Sequence, residues 1–229
     1  MKDNIELKII ARIKTDFPTK FGIPRQSGLI PSLKGKIVFE PQYRNKEALR
    51  GLEGFSHLWL LWKFSEVVCE DWSPTVRPPR LGGNKRMGVF ATRSPFRPNP
   101  IGLSSVKIEG IYSDGENGTV LEVSGADLMD GTPIYDIKPY IAYTDSHPDA
   151  LGGFSAEVFE DSLTVEWCEN IKKKLPHDIE ASLTEILASD PRPGYKSDGE
   201  RVYSFEYAGY NIKFTVNNKI LTVLSMEKI

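Results

Sequence analysis

Cysteine and histidine are scarce in this 229-residue chain, which has two cysteines, Cys69 and Cys168, and three histidines, His57, His147 and His177. The cysteines lie far apart and in no Cys-x-x-Cys spacing, which argues against a disulfide framework or a zinc site. The histidines do not cluster in sequence either, and no metal is expected. No apolar run approaches the ~20 residues that a membrane-crossing helix needs. The opening MKDNIELKII is too polar for a secretory leader, so the expectation is a cytoplasmic protein with no membrane partner. Common catalytic signatures are missing as well: there is no GxSxG, no Walker loop, no HExxH, and no GxGxxG between a strand and a helix.

What is present is an ordinary globular balance of 40% hydrophobic and 26% charged residues, enough to bury a core without disulfides or metals. The length permits one large β domain, or a domain of about 150 residues with a smaller companion. The net charge of −2 hides an uneven distribution. Arg77, Arg80, Lys85, Arg86, Arg93, Arg97 and Lys107 occur in one stretch with no acidic residue, leaving 22 basic against 31 acidic groups elsewhere. Such a stretch can follow phosphates, or can be a basic loop paired with acidic neighbours in the fold.

Residues 5–13 alternate between apolar and mostly polar side chains, the period of a half-buried strand. The loop FPTKFGIPRQSGLIPS follows, then the strand KIVFE and a brief helix, KEALRG, capped by Asn45 and ended by Gly51. SHLWLLWKF reads as a strand buried on both sides. RMGVFAT, LSSVKIEGIY, TVLEVSG and TPIYDIKPY read as further strands, with turn signals in SDGENG and DLMDG. Many short strands with one small helix predict an antiparallel β-barrel or sandwich, not a doubly wound sheet. DALGGF reads as a linker. Beyond it, Asp178 caps a helix whose Ile179, Leu183, Ile186 and Leu187 share one face, and RVYSFEY, NIKFTV and KILTVLSM make three strands. The fold class is therefore mainly β, with a barrel-like domain over 1–148 and a small α+β domain over 155–229.

The run RPPRLGGNKRMGVFATRSPFRPNPIGLS is long for a loop in a compact domain, and such loops are usually functional or disordered. Its apolar MGVFAT and PIGLS need burial, which argues against disorder. Prolines stiffen its path, and Gly82, Gly83 and Gly102 permit close backbone approach. A stiff, basic, glycine-containing loop suits an anionic or large ligand; a proline-braced structural turn is the plain alternative.

That run, together with FGIPRQSGL, GLEGFSHLWLLWKF and DLMDGTPIYDIKPYIAYTDS in the same order, resembles the TrmO family of tRNA methyltransferases. DPRPGY in the second domain resembles it more weakly. The resemblance implies a β-barrel that uses S-adenosylmethionine (AdoMet), and a homodimer. It implies methylation of N6 of threonylcarbamoyladenosine beside the anticodon of threonine tRNA. Cofactor contacts carried over by position are Pro24, Arg25, Gln26, Ser65, Glu66, Arg93, Leu103, Asp136, Ile137, Lys138 and Pro139. Arg25 and Arg93 suit the methionyl carboxylate, while Glu66 or Asp136 suits the sulfonium charge. Ser65 and Glu66 are equally readable as ordinary polar residues at a strand end.

The target nitrogen is a poor nucleophile until its proton leaves, so a positioned base is expected. Asp136 is the first choice, with Lys138 and Tyr140 on the same strand face as charge stabilisers; an ion pair between Asp136 and Lys138 is the structural alternative. Asn99-Pro100-Ile101 only partly matches the acidic-or-Asn-Pro-Pro-aromatic motif of conventional adenine-N6 enzymes. Arg77, Arg80, Lys85, Arg86 and Arg97 are the expected RNA contacts, and the small second domain is expected to assist. Two other readings stay open: a non-catalytic RNA-binding barrel, and an AdoMet enzyme of the same fold acting on another substrate.

Overall fold

The computed structural model describes residues 5–66, 72–78, 81, 85–158, 162–192 and 201–229. In chain order the strands are β1 (Ala11–Lys14), β2 (Lys34–Phe39), β3 (His57–Lys63), β4 (Thr75–Val76), β5 (Met87–Gly88) and β6 (Ile101–Asp114). They continue as β7 (Gly118–Ser124), β8 (Pro133–Pro139), β9 (Thr164–Trp167), β10 (Tyr203–Tyr207), β11 (Tyr210–Asn217) and β12 (Ile220–Lys228). Six of them close a barrel in the order β1-β2-β7-β6-β3-β8, with every neighbour antiparallel. Closure gives every strand two neighbours, with the seam between β1 and β8 held by Ala11↔Ile134 and Arg12↔Pro133.

The barrel interior is filled by alternate residues of each strand, among them Ile13, Ile37, Leu58, Leu60, Trp62, Val106, Leu121 and Ile134. β3 departs from the expectation of burial on both sides: Leu58, Leu60 and Trp62 point in, while Trp59 and Leu61 are only half-buried on the outer face. A single closed sheet has one interior, so the outward half of an aromatic strand stays partly in contact with water. The first strand is also shorter than its alternation predicts. Ile5 is 86% exposed and Leu7 is exposed too, lying ahead of Ile10, whose amide donates to the Ile134 carbonyl and marks where the strand joins the barrel. RMGVFAT pairs only at Met87 and Gly88, then coils into a short 3-10 turn that buries Val89 and turns Phe90 out to 74% exposure. Asn45 does cap the turn at Lys46–Leu49, accepting from the Glu47 amide, but that turn is 3-10 rather than α.

The second unit is a sheet in the order β10-β11-β12-β9, with β9 parallel to β12. β9 was not foreseen, since its four residues carry too short an alternation to register. The helix His177–Ala188 buries Ile179, Leu183, Ile186 and Leu187 as its spacing predicts. Its N-cap position is held by Pro176 without a side-chain bond, and Asp178 stands in the first turn instead. A carboxylate there still complements the helix dipole.

The two units are joined by more than the linker. In the loop between β1 and β2, Phe17, Ile30 and Leu33 are buried in the second unit's apolar cluster, with Phe21 and Ile23 packed against it. Gly22 adopts a φ of +91°, and a Cβ there would lie 2.5 Å from the Phe205 ring. The Ala208 amide donates to the Asp16 carbonyl at 2.9 Å, and Arg25 donates to the Arg192 carbonyl at 3.2 Å. The second unit thus braces the loop that carries Pro24, Arg25 and Gln26.

Candidate ligand cavity and adjoining groove

A cavity of about 550 Å³ lies at one end of the barrel, within the size range of small-molecule sites. Five stretches of the chain build it. They are the braced loop 23–26, the end of β3 with residues 64–66, the loop 93–97, and the start of β6 facing residues 127–129. Pro24, Arg25, Gln26, Ser65, Glu66, Arg93 and Leu103, all carried over from the family resemblance, line it together.

Gly102 makes the cavity's inner wall possible. A Cβ on it would lie 2.2 Å from the Trp62 indole, so only glycine lets that ring lie across β6. The indole Nε1 then donates to Ser104 Oγ at 3.0 Å, and Ser104 Oγ donates to Asp127 Oδ1 at 2.6 Å. Ser104 is almost fully buried, so this chain of bonds fixes the Asp127 carboxyl at the cavity wall. Burial pushes the Asp127 carboxyl above the ordinary carboxylate range, outweighing the Ser104 bond, the backbone amides of Asp127 and Ser27, and the charge of Arg93. A carboxylate that resists ionisation is one that gains by meeting a cation or a proton.

Opposite charges share the wall. Lys20, Arg25, Lys63, Arg93 and Arg97 line it with Glu66 and Asp127. Arg93 Nη1 donates to Gln26 Oε1, and Gln26 Nε2 donates to the Arg25 carbonyl, which ties the loop 93–97 to the braced loop. Arg97, expected to meet RNA, turns inward: its Nη2 donates to the Thr92 carbonyl at 3.0 Å and to the Val89 carbonyl at 3.4 Å. It braces the turn that presents Phe90.

Asp136, Ile137, Lys138 and Pro139 are not among the cavity's residues. Asp136 pairs with Leu61 across β3 on the outer face, and Leu103 is Leu61's partner on β6. Trp62 and Lys63, next to Leu61 on β3, do line the cavity, so Asp136 stands one strand spacing, about 5 Å, from the strand that forms its wall. Its carboxylate meets Lys138 Nζ at 3.0 Å, with the two side chains 46% and 63% exposed. Tyr140 lies further along, its ring 5.5 Å from that of Trp59. Asp127 is the residue that sequence reasoning passed over. DLMDG reads as a turn, yet Asp127 is flanked by the buried Ala126 and Leu128, and a carboxylate between two core residues was the available signal.

A wider groove of about 1560 Å³ adjoins the cavity and shares Arg25, Gln26, Arg93, Pro95 and Phe96 with it. Arg77 and Arg86 line it, as do Phe90 and the linker residues Leu151–Ser155. Lys85 is exposed but not in the groove, and Arg80 lies outside the described residues.

A closed six-stranded barrel, with a cavity of small-molecule size at one end and a companion sheet bracing its wall, defines a β-barrel protein of two units. Family models narrow the class. Residues 12–146 match the tRNA-methyltransferase O N-terminal domain, and residues 158–229 match the TrmO C-terminal domain. The tRNA (adenine(37)-N6)-methyltransferase of Escherichia coli K12 is 38% identical, with 98% of each chain covered. A Pseudomonas aeruginosa relative, provisionally named an S-adenosylmethionine-dependent methyltransferase, is 43% identical over 82% of this chain and 81% of its own length. The crystal structure of TrmO from Pseudomonas aeruginosa superposes with a TM-score of 0.80 at 32% identity, covering 100% of this chain and 99% of that one. The chain belongs to the TrmO family.

Proposed function

We propose that this protein transfers the methyl group of AdoMet to N6 of the adenosine at position 37 of tRNA. The substrate is taken to be adenosine already carrying an N6-threonylcarbamoyl group, in threonine tRNA. The observation that carries the reading is the cavity in which Arg25, Gln26, Glu66, Arg93 and Leu103 converge with a poorly ionising carboxyl, Asp127. The residues fit an amino-acid sulfonium. Arg25 and Arg93 suit its carboxylate, and Glu66 and Asp127 suit its ammonium and sulfonium charges. Bound there, AdoMet supplies an activated methyl group.

The chain's own residues align and deprotonate. Arg93 and Gln26, bonded to each other, fix two walls of the cavity, so that nucleophile, carbon and sulfur are held in line. Within one chain, Asp127 is the carboxylate placed to take the N6 proton; its raised proton affinity moves it towards the neutral range where a base works best. Asp136 and Lys138 lie on the outer face of β8, with Tyr140 just beyond its end and Ile137 and Pro139 on its opposite face; none of the five lines the cavity. A role for these residues at the reaction, contributed across a homodimer, would show as a loss of transfer in Asp136→Asn. Asp136 would also have to leave Lys138 in order to accept a proton.

AdoMet titrated calorimetrically into the protein should bind, and transfer should then proceed to tRNA bearing the threonylcarbamoyl group but not to tRNA without it. Equal transfer to both would remove the threonylcarbamoyl requirement. AdoMet binding with no transfer to any tRNA would favour another substrate for this fold.

A further inference from the structure

The groove beside the cavity combines two features, further cations and exposed rings, that go beyond the proposed methyl transfer. Arg77 and Arg86 line it beside the cavity's own Arg25 and Arg93, and no carboxylate is among the described residues that do. Exposed rings stand among these cations: Phe90 is 74% exposed and Phe96 49%; Trp72, 50% exposed, is not itself a lining residue but holds its ring 6.0 Å from that of Phe90. The presentation of Phe90 is built rather than incidental. Val89 beside it is buried, the Thr92 amide and hydroxyl both donate to the Val89 carbonyl, and Arg97 clasps the same turn from within. Large apolar rings left in water at a concave, cationic surface are costly unless something covers them.

We propose that this groove is a stacking track for unpaired nucleotides, in which Phe90, with Trp72 at its side, takes the face of a base next to the target adenosine. This rests on the tRNA reading above and adds a recognition element to it. Cations that follow a phosphate chain, interleaved with rings that stack bases, are how proteins hold single strands without reading sequence. The groove opens into the cavity through Arg25, Arg93 and Phe96, so a nucleotide on Phe90 leaves its neighbour free to turn inward. A second copy of this chain is a poorer occupant. Joining this surface to itself would set four arginines against four more, with no carboxylate between them among the described residues.

The test uses the full chain and an anticodon stem-loop RNA carrying 2-aminopurine beside the target position. Wild type should quench the probe's fluorescence. Phe90→Ala should weaken binding about ten- to hundredfold, the scale of one stacked base, and Phe90→Trp should restore it. The dependence of affinity on salt should stay unchanged in Phe90→Ala and flatten in Arg77→Ala/Arg86→Ala. AdoMet affinity of Phe90→Ala should equal that of wild type, which shows that the fold is intact. Wild-type affinity and quenching in Phe90→Ala would overturn the track while leaving the methyltransferase reading in place. So would a Phe90→Ala protein whose only change is loss of self-association. If wild type neither binds AdoMet nor methylates tRNA, the reading beneath the track has failed instead.

Discussion

Asp127 and Asp136 flank the same turn into β8, and the fold treats them in opposite ways. Asp127 is held at the cavity wall by a buried serine and raised in proton affinity by burial. Asp136 is on the outer face, matched to Lys138 at 3.0 Å. What separates them is strand phase. β8 slips register against β3 between Leu61 and Trp62, where Trp62 pairs with Ile134 and Leu61 with Asp136. That one-residue irregularity keeps Ile134 inside and sends Asp136 out. A motif rich in acidic residues therefore identifies neither which carboxylate meets the ligand nor which one is neutralised by its neighbour.

The comparison breaks most visibly in the rate of transfer. Asp127→Asn should lower single-turnover methyl transfer by ~10²–10⁴, the range for a lost general base, whereas Asp136→Asn should stay within a few-fold at saturating AdoMet and tRNA. The reverse ordering would move the chemistry to the outer face. Stability should change in the opposite sense to activity. The folded protein holds the Asp127 proton more tightly than the unfolded chain does, so ionised Asp127 penalises folding at neutral pH. That penalty fades as pH falls through the raised folded value and is gone below the ordinary 3.8. Asp127→Asn should accordingly melt no lower than wild type at pH 7, and any advantage should vanish below the ordinary carboxylate range.

Next in size is Gly102→Ala. The added methyl meets the Trp62 indole at 2.2 Å, and overpacking of this kind costs about 1–3 kcal/mol. Denaturant unfolding should show that loss, with AdoMet affinity falling too because the Trp62–Ser104–Asp127 chain is displaced. An unaffected affinity would detach Asp127 from the ligand. Arg93→Ala or Arg25→Ala should weaken AdoMet binding by roughly 1.5–3 kcal/mol, the scale of one charged hydrogen bond, and a calorimetric titration reads it directly. Unchanged affinity in both variants would take the methionyl carboxylate elsewhere.

Much of the fold is readable in period and punctuation. β6, β7, β8 and the three strands β10–β12 follow alternations, punctuated after β6, β7 and β10 by glycine-containing turns and after β11 by Asn217-Asn218, and the helix His177–Ala188 follows the spacing of Ile179, Leu183 and Ile186. What escapes the sequence depends on tertiary closure. That Phe17, Ile30 and Leu33 belong to the second unit's core cannot be seen in a loop with no period. Trp62, Gly102, Ser104 and Asp127 come from three separate stretches, and only barrel closure makes them neighbours. The cavity's cationic and loop residues were legible through family resemblance, since Arg25 and Arg93 sit in compositionally odd motifs. Asp127 was not, because a lone aspartate before a turn looks like turn chemistry.

Hydrogen exchange with and without AdoMet tests most directly whether the barrel-end cavity is the ligand's place. The account predicts slowed exchange in peptides covering residues 23–27, 93–97, 101–105 and 126–129, the segments that form its walls. Protection confined to other parts of the chain, with these four segments unchanged at saturating AdoMet, would contradict it.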